Sequence, residues 1–148
     1  MSTRPFKDFR VSELAMPIGD FPVVSMQTIF KTALEEMGRS KLGIVCITDP
    51  GMMLLGVVTD GDIRRRLLSD QRPFSALFGD DALDHATRHP VTVSADASLM
   101  DAIQVMEDRR VWDLPVVDAD GRLEGLLHLH RVMQVLLGVK EFSPAARS

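Results

Sequence analysis

Short apolar runs and amphipathic stretches follow one another in an order that occurs twice along the chain. In the first copy, a short apolar strand at residues 23–24 precedes an amphipathic helix. Compact apolar strands follow at residues 44–47 and 54–58, joined by turn-forming residues at 49–51, which predicts a hairpin. A second helix is expected after Thr59. The stripes that predict buried helix faces are Ile29, Ala33, Leu34 and Met37 in the first helix and Ile63, Leu67 and Leu68 in the second.

The second copy shows the same pattern in the same order. It has an apolar strand at residues 90–93, an amphipathic helix, a predicted hairpin of 114–117 with 123–127, and a last helix. Ser25 and Ser94 each follow the first strand of their copy, where a hydroxyl is expected to cap the next helix. The helix stripes of this copy are Leu99, Ala102, Ile103 and Met106, followed by Val132, Leu136 and Leu137.

The two copies are an internal repeat with an offset of 69 residues. Residues 22–68 align without a gap on residues 91–137, and 9 of the 47 pairs are identical, against about 3 expected from ordinary residue frequencies. The identical pairs include Val24/Val93, Ser25/Ser94, Ala33/Ala102, Met37/Met106, Asp49/Asp118, Leu54/Leu123 and Gly56/Gly125. The predicted fold class is therefore α+β, with two tandem strand–helix–strand–strand–helix units packed with pseudo-twofold symmetry around a cleft.

The repeat also predicts the domain organisation. We expect an N-terminal tail at residues 1–10, a first unit at 11–68, a linker at 69–82, a second unit at 83–138 and a C-terminal tail at 139–148. A unit of this size buries only about 60% of its unfolded surface, which makes it marginally stable alone. Two units in contact remove that difficulty.

Composition narrows the possible functions. The chain has 148 residues, a net charge of −4 and a single cysteine. A negative net charge argues against non-specific binding of nucleic acid, and one cysteine excludes an internal disulfide framework. No apolar run approaches the roughly 20 residues of a membrane-spanning helix, and charged residues interrupt the first thirty positions, so no signal peptide is evident. These features predict a cytoplasmic protein with neither a nucleic acid nor a membrane as its partner.

Polar residues that suit a phosphorylated ligand lie where the first hairpin ends and the second helix begins. The hydroxyl of Thr59 can donate to a phosphate oxygen, and unpaired amides at a helix N-terminus attract anions. Gly61 permits close approach to the backbone, and the carboxylate of Asp62 can accept from the hydroxyls of a ribose. Arg65 lies one turn further and can reach an anion. The alternative is a capped helix start, with Thr59 or Asp60 as the cap and Asp62 placed by the helix dipole.

The second copy differs at this junction. His128 stands where the first copy has Thr59, and Arg131 stands where it has Asp62. An arginine cannot accept a hydrogen bond from ribose hydroxyls. The second junction is therefore expected either to be empty or to supply positive charge to a shared ligand.

Other chemically notable residues have simpler interpretations. His128 and His130 are two residues apart in the chain and have no third ligand nearby in the sequence, so they are only a weak indication of a metal site. Cys46 lies in the middle of a predicted strand and is expected to be a core residue. Trp112 precedes a strand, where it can stack on a base or pack partly against the protein. Two further histidines are predicted to lie in loops, namely His85 and His89.

The repeat, the order of elements and the motif together resemble the CBS domain, named after cystathionine β-synthase. Residues 56–62 match the family signature Gly-x-x-Thr-x-x-Asp in full, and the resemblance covers about residues 11–138. It implies a non-catalytic sensor that binds a nucleotide, most often an adenine nucleotide, between its copies and forms a homodimer. It further implies ligand contacts at Val23, Gly43 and Ile44, beside Thr59, Asp60, Gly61, Asp62, Arg65, His128 and Arg131.

A finer resemblance concerns the strings at residues 56–65 and 125–130. They are similar to the CBS pair at the C-terminus of arabinose-5-phosphate isomerases, enzymes of Kdo synthesis. This implies that the chain senses a sugar nucleotide such as CMP-Kdo and regulates an isomerase or another enzyme, without a required cofactor. The alternative is a purely structural dimerisation module with no small-molecule ligand. An enzyme is not expected, because the sequence offers neither a nucleophile–base pair nor a convergent set of metal ligands.

Overall fold

The computed structural model of the chain describes residues 5 and 8–138, which form two compact units. One unit, here called the first-repeat unit, comprises Gly19–Pro90; the other, the second-repeat unit, comprises residues 8–18 and 91–138. The helices are α1 (Val11–Leu14), α2 (Phe30–Ser40), α3 (Asp60–Ser69), α4 (Leu99–Arg109) and α5 (Leu129–Leu136). The strands are β1 (Met16–Pro17), β2 (Val23–Ser25), β3 (Ile44–Thr48), β4 (Leu54–Thr59), β5 (Thr87–Arg88), β6 (Val93–Ser94), β7 (Asp113–Val117) and β8 (Leu123–His128).

The first-repeat unit has a four-stranded sheet in the order β2-β3-β4-β5. Strand β2 runs parallel to β3, whereas β3 and β4 form the predicted antiparallel hairpin. All five residues of β3 are buried, as expected for an apolar, β-branched strand covered on both faces. The core beneath the helices is built from Phe30, Ala33, Met37, Val45, Ile47, Val58, Leu77 and Ala82.

The second-repeat unit repeats this design in the order β1-β8-β7-β6. Strand β6 is parallel to β7, and β7 pairs antiparallel with β8. Its core consists of Val11, Leu14, Val93, Leu99, Ala102, Met106, Leu114, Val116, Leu127 and Val132. The α+β fold class and the duplicated order of elements are confirmed.

Each sheet also contains a fourth strand that the sequence pattern does not predict. Strand β5 pairs antiparallel with β4 at Gly56, and β1 pairs antiparallel with β8 at Gly125. A Cβ at Gly56 would lie 2.9 Å from the carbonyl oxygen of Thr87, and one at Gly125 would lie 2.8 Å from that of Met16. The repeated glycine therefore gives the additional strand room to approach.

The compact units divide the chain differently from the repeat. Residues 11–18 precede the first copy in sequence but pack in the second-repeat unit, where Val11 and Leu14 are fully buried. The amide of Val11 donates to the carbonyl of Ala97 at 3.0 Å. The predicted boundaries at 11–68 and 83–138 remain a prediction about sequence units. The predicted C-terminal tail, 139–148, lies outside the described residues, as does most of the predicted tail at 1–10.

The predicted helix caps at Ser25 and Ser94 are wrong. Helix α2 begins at Phe30, and α4 begins at Leu99 with Ser98 as its cap. The Ser25 hydroxyl instead accepts from the amide of Gln27 at 3.3 Å, and that of Ser94 accepts from Asp96 at 3.2 Å. Both serines thus stabilise a turn after a strand, which uses the same hydroxyl geometry as a cap.

The prediction that four leucines face the core is also wrong. The exposed fractions are 54% for Leu67, 83% for Leu68, 50% for Leu136 and 65% for Leu137. Only Val132 among the apolar positions named for the last helix is buried. The terminal turns of α3 and α5 therefore present apolar side chains to the surface of their own units.

The segment between α3 and β5 packs firmly on the first-repeat unit. His85, predicted as a loop residue, lies in a 3-10 turn (Ala82–His85), is 5% exposed and contacts the ring of Phe30. Its Nε2 lies 2.9 Å from Asp80, and this hydrogen bond, followed by that from Arg72, lowers the pKa of Asp80. Hydrogen bonds from Arg72 also lower the pKa of Asp70 to about 2. The segment is thus fixed by a charged network rather than extended as a loose linker.

Candidate functional site

The first strand–helix junction is organised by a reciprocal cap. Thr59 ends β4 in an extended conformation, and α3 begins at Asp60. The hydroxyl of Thr59 accepts from the amide of Asp62 at 3.2 Å, while the amide of Thr59 donates to Asp62 Oδ2 at 2.9 Å. Two backbone amides at the helix start are satisfied in this way, which is the arrangement of a capping box.

Asp62 is the most enclosed polar group at the junction, with 6% of its surface exposed. Besides the Thr59 amide, its carboxylate accepts from the Thr59 hydroxyl at 3.0 Å, the Thr87 hydroxyl at 2.7 Å and the guanidinium of Arg65. Four donors from the chain itself therefore hold this carboxylate. Asp62 acts here as a structural cap, and a ribose hydroxyl would have to displace one of these donors.

The carboxylate that remains open at the junction is that of Asp60. Its side chain is exposed, and its amide donates to the carbonyl of Gly43 at 3.1 Å. A Cβ on Gly43 would lie 2.6 Å from Asp60 Oδ2. A side chain at residue 43 would therefore push this carboxylate out of its position beside the start of β3.

The remaining predicted contacts of the first-repeat unit lie around this pair. Ile44 is buried and stands opposite Thr59 in the hairpin register, and the peptide of Gly61 lies within the first turn of α3. Arg65 is exposed and turned toward Asp62. Val23 opposes Cys46 on the neighbouring strand, further from the junction than the others.

A cavity of about 340 Å³ opens beside Gly43 and Asp60. This volume falls in the range of small-molecule sites, and an apolar floor with few polar groups is typical of them. Lys41 lies at its rim, where α2 ends in a left-handed residue. The apolar lining consists of Leu34, Met37, Leu42 and Ile63. The cavity was not predicted, because its walls are helix residues that the sequence pattern places in the core.

The second junction lies in the other compact unit and has different chemistry. His128 Nδ1 lies 2.7 Å from Asp113 Oδ1, and the two residues face each other in the hairpin register. The guanidinium of Arg131 donates to the carbonyl of Leu14 at 3.4 Å, which ties α5 to α1. Trp112 is 71% exposed, so the protein covers only a minor part of its surface.

Sequence reasoning missed two partners of the predicted site residues. Asp113 could have been found from the hairpin alignment, because residues 113 and 128 are predicted to face each other. Thr87, which contacts Asp62, carries no comparable signal because its strand has only two residues.

Within the described residues, no group of three or more His, Cys, Asp or Glu side chains converges on a possible metal position. No helix of the described chain is long and apolar enough to cross a membrane.

Comparison with known proteins decides the family. The family model of the CBS domain matches residues 11–69 and 82–138, which is most of the chain. This chain belongs to the CBS domain family. The CBS pair is similar to CBSX2 of Arabidopsis thaliana, which was solved in complex with AMP: the TM-score is 0.77 and the identity 30%, over 90% of this chain and 99% of that one.

The resemblance to arabinose-5-phosphate isomerases is confirmed for the CBS part. Arabinose 5-phosphate isomerase KdsD of Pseudomonas aeruginosa is 36% identical over 126 residues, which are 82% of this chain and 36% of that protein. GutQ of Salmonella typhi is 30% identical over 113 residues, or 76% of this chain and 34% of that protein. The CBS pair therefore spans about a third of the length of these curated relatives.

Proposed function

We propose that this CBS pair is a non-catalytic regulatory module that binds a nucleotide, with AMP as the first candidate. The observation that carries the proposal is the similarity over nearly the whole chain to a CBS pair solved with AMP. The complete signature at residues 56–62 supports it, since the motif forms an ordered strand–helix junction beside a cavity of ligand size. A sensor of this kind acts by binding one conformation better than another.

We place the ligand at the first junction, around Thr59, Asp60, Gly61 and the backbone of residues 43–44. The exposed carboxylate of Asp60 suits a ribose diol or an amine, because an ionised carboxylate only accepts hydrogen bonds. The cavity beside Gly43 leaves space for a planar base. In this proposal Asp62 and Arg65 fix the start of α3. Asp62 can contact the ligand directly only if a ligand hydroxyl replaces one of the four donors that its carboxylate accepts from.

We further propose that the regulated partner is a sugar-phosphate isomerase or a related enzyme. The support is the identity of 30–36% with the matching part of arabinose-5-phosphate isomerases. A sugar nucleotide such as CMP-Kdo is the second ligand candidate on this ground. Cytidine and adenine present different hydrogen-bonding edges, so one titration panel distinguishes the two.

We expect AMP to raise the melting temperature of the wild-type pair. At a ligand concentration 100 times the dissociation constant, binding stabilises the folded state by about 2.7 kcal/mol, which corresponds to roughly 5–10 °C. The variant carrying Thr59→Ala and Asp60→Asn should lose most of this shift, because it lacks the hydroxyl and the open carboxylate of the junction. Differential scanning fluorimetry with AMP, ADP, ATP, S-adenosylmethionine, CMP and CMP-sugars measures both effects.

The control for this variant is Thr32→Ala combined with Asp81→Asn. It removes the same chemical groups from exposed positions of the same unit, and it should keep the wild-type shift. Each shift is measured from the ligand-free melting temperature of the same variant. If the junction variant retains the full AMP shift, the ligand is bound elsewhere and the site assignment is wrong.

Self-association is a second candidate function, favoured by the apolar ends of α3 and α5. On α3, Leu68 is 83% exposed and Leu67 is 54% exposed, and Leu137, the residue after α5, is 65% exposed. Leucines at this exposure are energetically better placed in contact with another protein surface. We propose a homodimer whose interface includes the terminal turns of α3 and α5. The dimer either accompanies ligand binding or, if the chain is a purely structural dimerisation module, forms without any small-molecule ligand.

Leu68→Asp should weaken the dimer by at least about tenfold, because burying a leucine contributes about 1.5–3 kcal/mol and a buried carboxylate is unfavourable. The fold should be unaffected, since the side chain is exposed within its own unit. Sedimentation velocity over a concentration series measures the dissociation constant, and Ser69→Asp, which adds the same charge at the next residue, is the control. A monomeric wild type, or equal effects of both substitutions, would contradict the proposed interface.

A further inference from the structure

The cavity beside Gly43 has two charged side chains among its lining residues, Lys41 and Asp60. Both residues are exposed, so they lie where the cavity opens to solvent. Neither side chain makes a hydrogen bond or an ion pair with the described part of the chain. The Asp60 amide donates to the carbonyl of Gly43 at 3.1 Å, which fixes the backbone from which the carboxylate extends. A ligand that enters the cavity therefore meets an open acceptor at a defined position.

The walls of the cavity favour a base over a ribose. They consist of apolar side chains from α2, from α3 and from the residues that join α2 to β3, namely Leu34, Met37, Leu42 and Ile63. A ribose would bring hydroxyls against these walls, where they lack partners, and unpaired buried polar groups are unfavourable. A planar base presents apolar faces to the walls and keeps its polar groups at its edge. The group that meets Asp60 is then a polar group on the edge of the base.

We infer that Asp60 determines which bases bind, by accepting a hydrogen bond from an exocyclic amine. The inference rests on the proposed function, since it names the class of nucleotide that the same site takes. That class comprises bases with an exocyclic amine, such as adenine and cytosine, and it excludes bases with a carbonyl oxygen in its place, such as hypoxanthine and uracil. An ionised carboxylate has no proton to donate, so a carbonyl oxygen at this position would face it without forming a hydrogen bond.

The second copy keeps the backbone of this arrangement but not its acceptor. Trp112 and Leu129 stand at the repeat positions of Gly43 and Asp60. The amide of Leu129 donates to the carbonyl of Trp112 at 2.9 Å, as the amide of Asp60 does to Gly43. The side chain of Leu129 packs against the core of the second-repeat unit and offers no acceptor. An amine is therefore recognised in this way only by the first-repeat unit.

Three purine nucleotides that differ only at and beside the carbon that carries the amine test this inference. IMP has a carbonyl oxygen in place of the amine of AMP, with a ring N–H beside it, and purine riboside 5′-monophosphate has only a hydrogen there. The ring N–H of IMP can approach the carboxylate only if the carbonyl oxygen approaches it too. We expect isothermal titration calorimetry of the wild-type pair near pH 7 to give dissociation constants at least about tenfold weaker for both analogues than for AMP, because a charged hydrogen bond is lost. CMP and UMP are the corresponding pair of pyrimidine nucleotides.

Asp60→Asn should bind IMP more tightly than the wild type does. The amide of asparagine can accept from an amine or donate to a carbonyl oxygen, so the dissociation constants for AMP and IMP should come within about threefold of each other. Damage to the fold cannot produce a gain in affinity for IMP. Asp81→Asn is the matched control, because it makes the same change at an exposed position of the same unit where the side chain caps no helix. It should keep the wild-type preference for AMP.

The outcomes separate this inference from the proposed function. If the wild type binds AMP as tightly as IMP, and CMP as tightly as UMP, the inference is overturned while nucleotide binding stands. An Asp60→Asn variant that keeps the wild-type ratio would assign the preference to another group and would also overturn it. If none of these nucleotides binds up to about 1 mM, the proposed function itself is contradicted, and the inference fails with it.

Discussion

Asp62→Ala is expected to lower the free energy of unfolding by about 3 kcal/mol, a cost typical of breaking a buried charged network. The buried carboxylate accepts from Thr59, Arg65 and Thr87. Its loss leaves the Thr59 amide without its acceptor, whereas the Thr59 hydroxyl keeps only the hydrogen bond that it accepts from the amide of residue 62. The half of the capping box that the Asp62 side chain supplies is lost at the same time. Urea unfolding followed by far-ultraviolet circular dichroism measures the change, which should appear as a lower midpoint.

The matched control is Asp60→Ala. Asp60 lies two residues earlier on the same helix, carries the same charge and is exposed. Its removal should cost less than about 1 kcal/mol, the contribution of a surface carboxylate to a helix N-terminus. If both substitutions lower the free energy of unfolding equally, Asp62 is not a structural cap, and its role would instead be to contact the ligand.

Gly125→Ala should destabilise the second-repeat unit by roughly 2–3 kcal/mol, because a new methyl group meets fixed backbone. The added Cβ would lie 2.8 Å from the carbonyl oxygen of Met16, so β1 must move away from β8. Hydrogen exchange should accordingly accelerate in β1, and the midpoint of urea unfolding should fall.

Gly79→Ala serves as the control, because no atom lies within 4 Å of the position where its Cβ would be built. It should be neutral or slightly stabilising, since alanine restricts the unfolded chain. The counterpart in the repeat, Gly56→Ala, should behave like Gly125→Ala in its own unit, with β5 displaced. If Gly125→Ala is as stable as wild type, the close approach of β1 is not what requires glycine there.

The sequence pattern predicted the parts of the fold that depend on buried side chains. The hairpins of both copies follow from compact β-branched runs bounded by turn formers, and β3 and β7 lie where these runs are. Strands β1 and β5 were not predictable, because two residues without an apolar pattern leave no signal. The compact units could not be predicted from the repeat, since the burial of Val11 and Leu14 depends on long-range contacts.

The candidate site was predicted in its residue types but not in its hydrogen bonds. The motif placed Thr59 and Asp62 at the junction. It could not distinguish a carboxylate that is free to bind a ligand from one that already accepts from Thr87 and Arg65. The terminal leucines show the same limit. Helical periodicity identifies Leu67 and Leu68 as one apolar face, but it does not say whether the chain itself or another surface covers that face.

Isothermal titration calorimetry of the wild-type pair with AMP tests the central claim most directly, that this CBS pair is a nucleotide-binding module with its site at Thr59 and Asp60. The account predicts saturable binding that the Thr59→Ala and Asp60→Asn variant weakens by at least about tenfold, or about 1.4 kcal/mol. CMP and CMP-sugars titrated in the same way identify the base. Absence of binding by every nucleotide of the panel up to about 1 mM, together with an intact dimer, would contradict the claim and leave the structural module as the function.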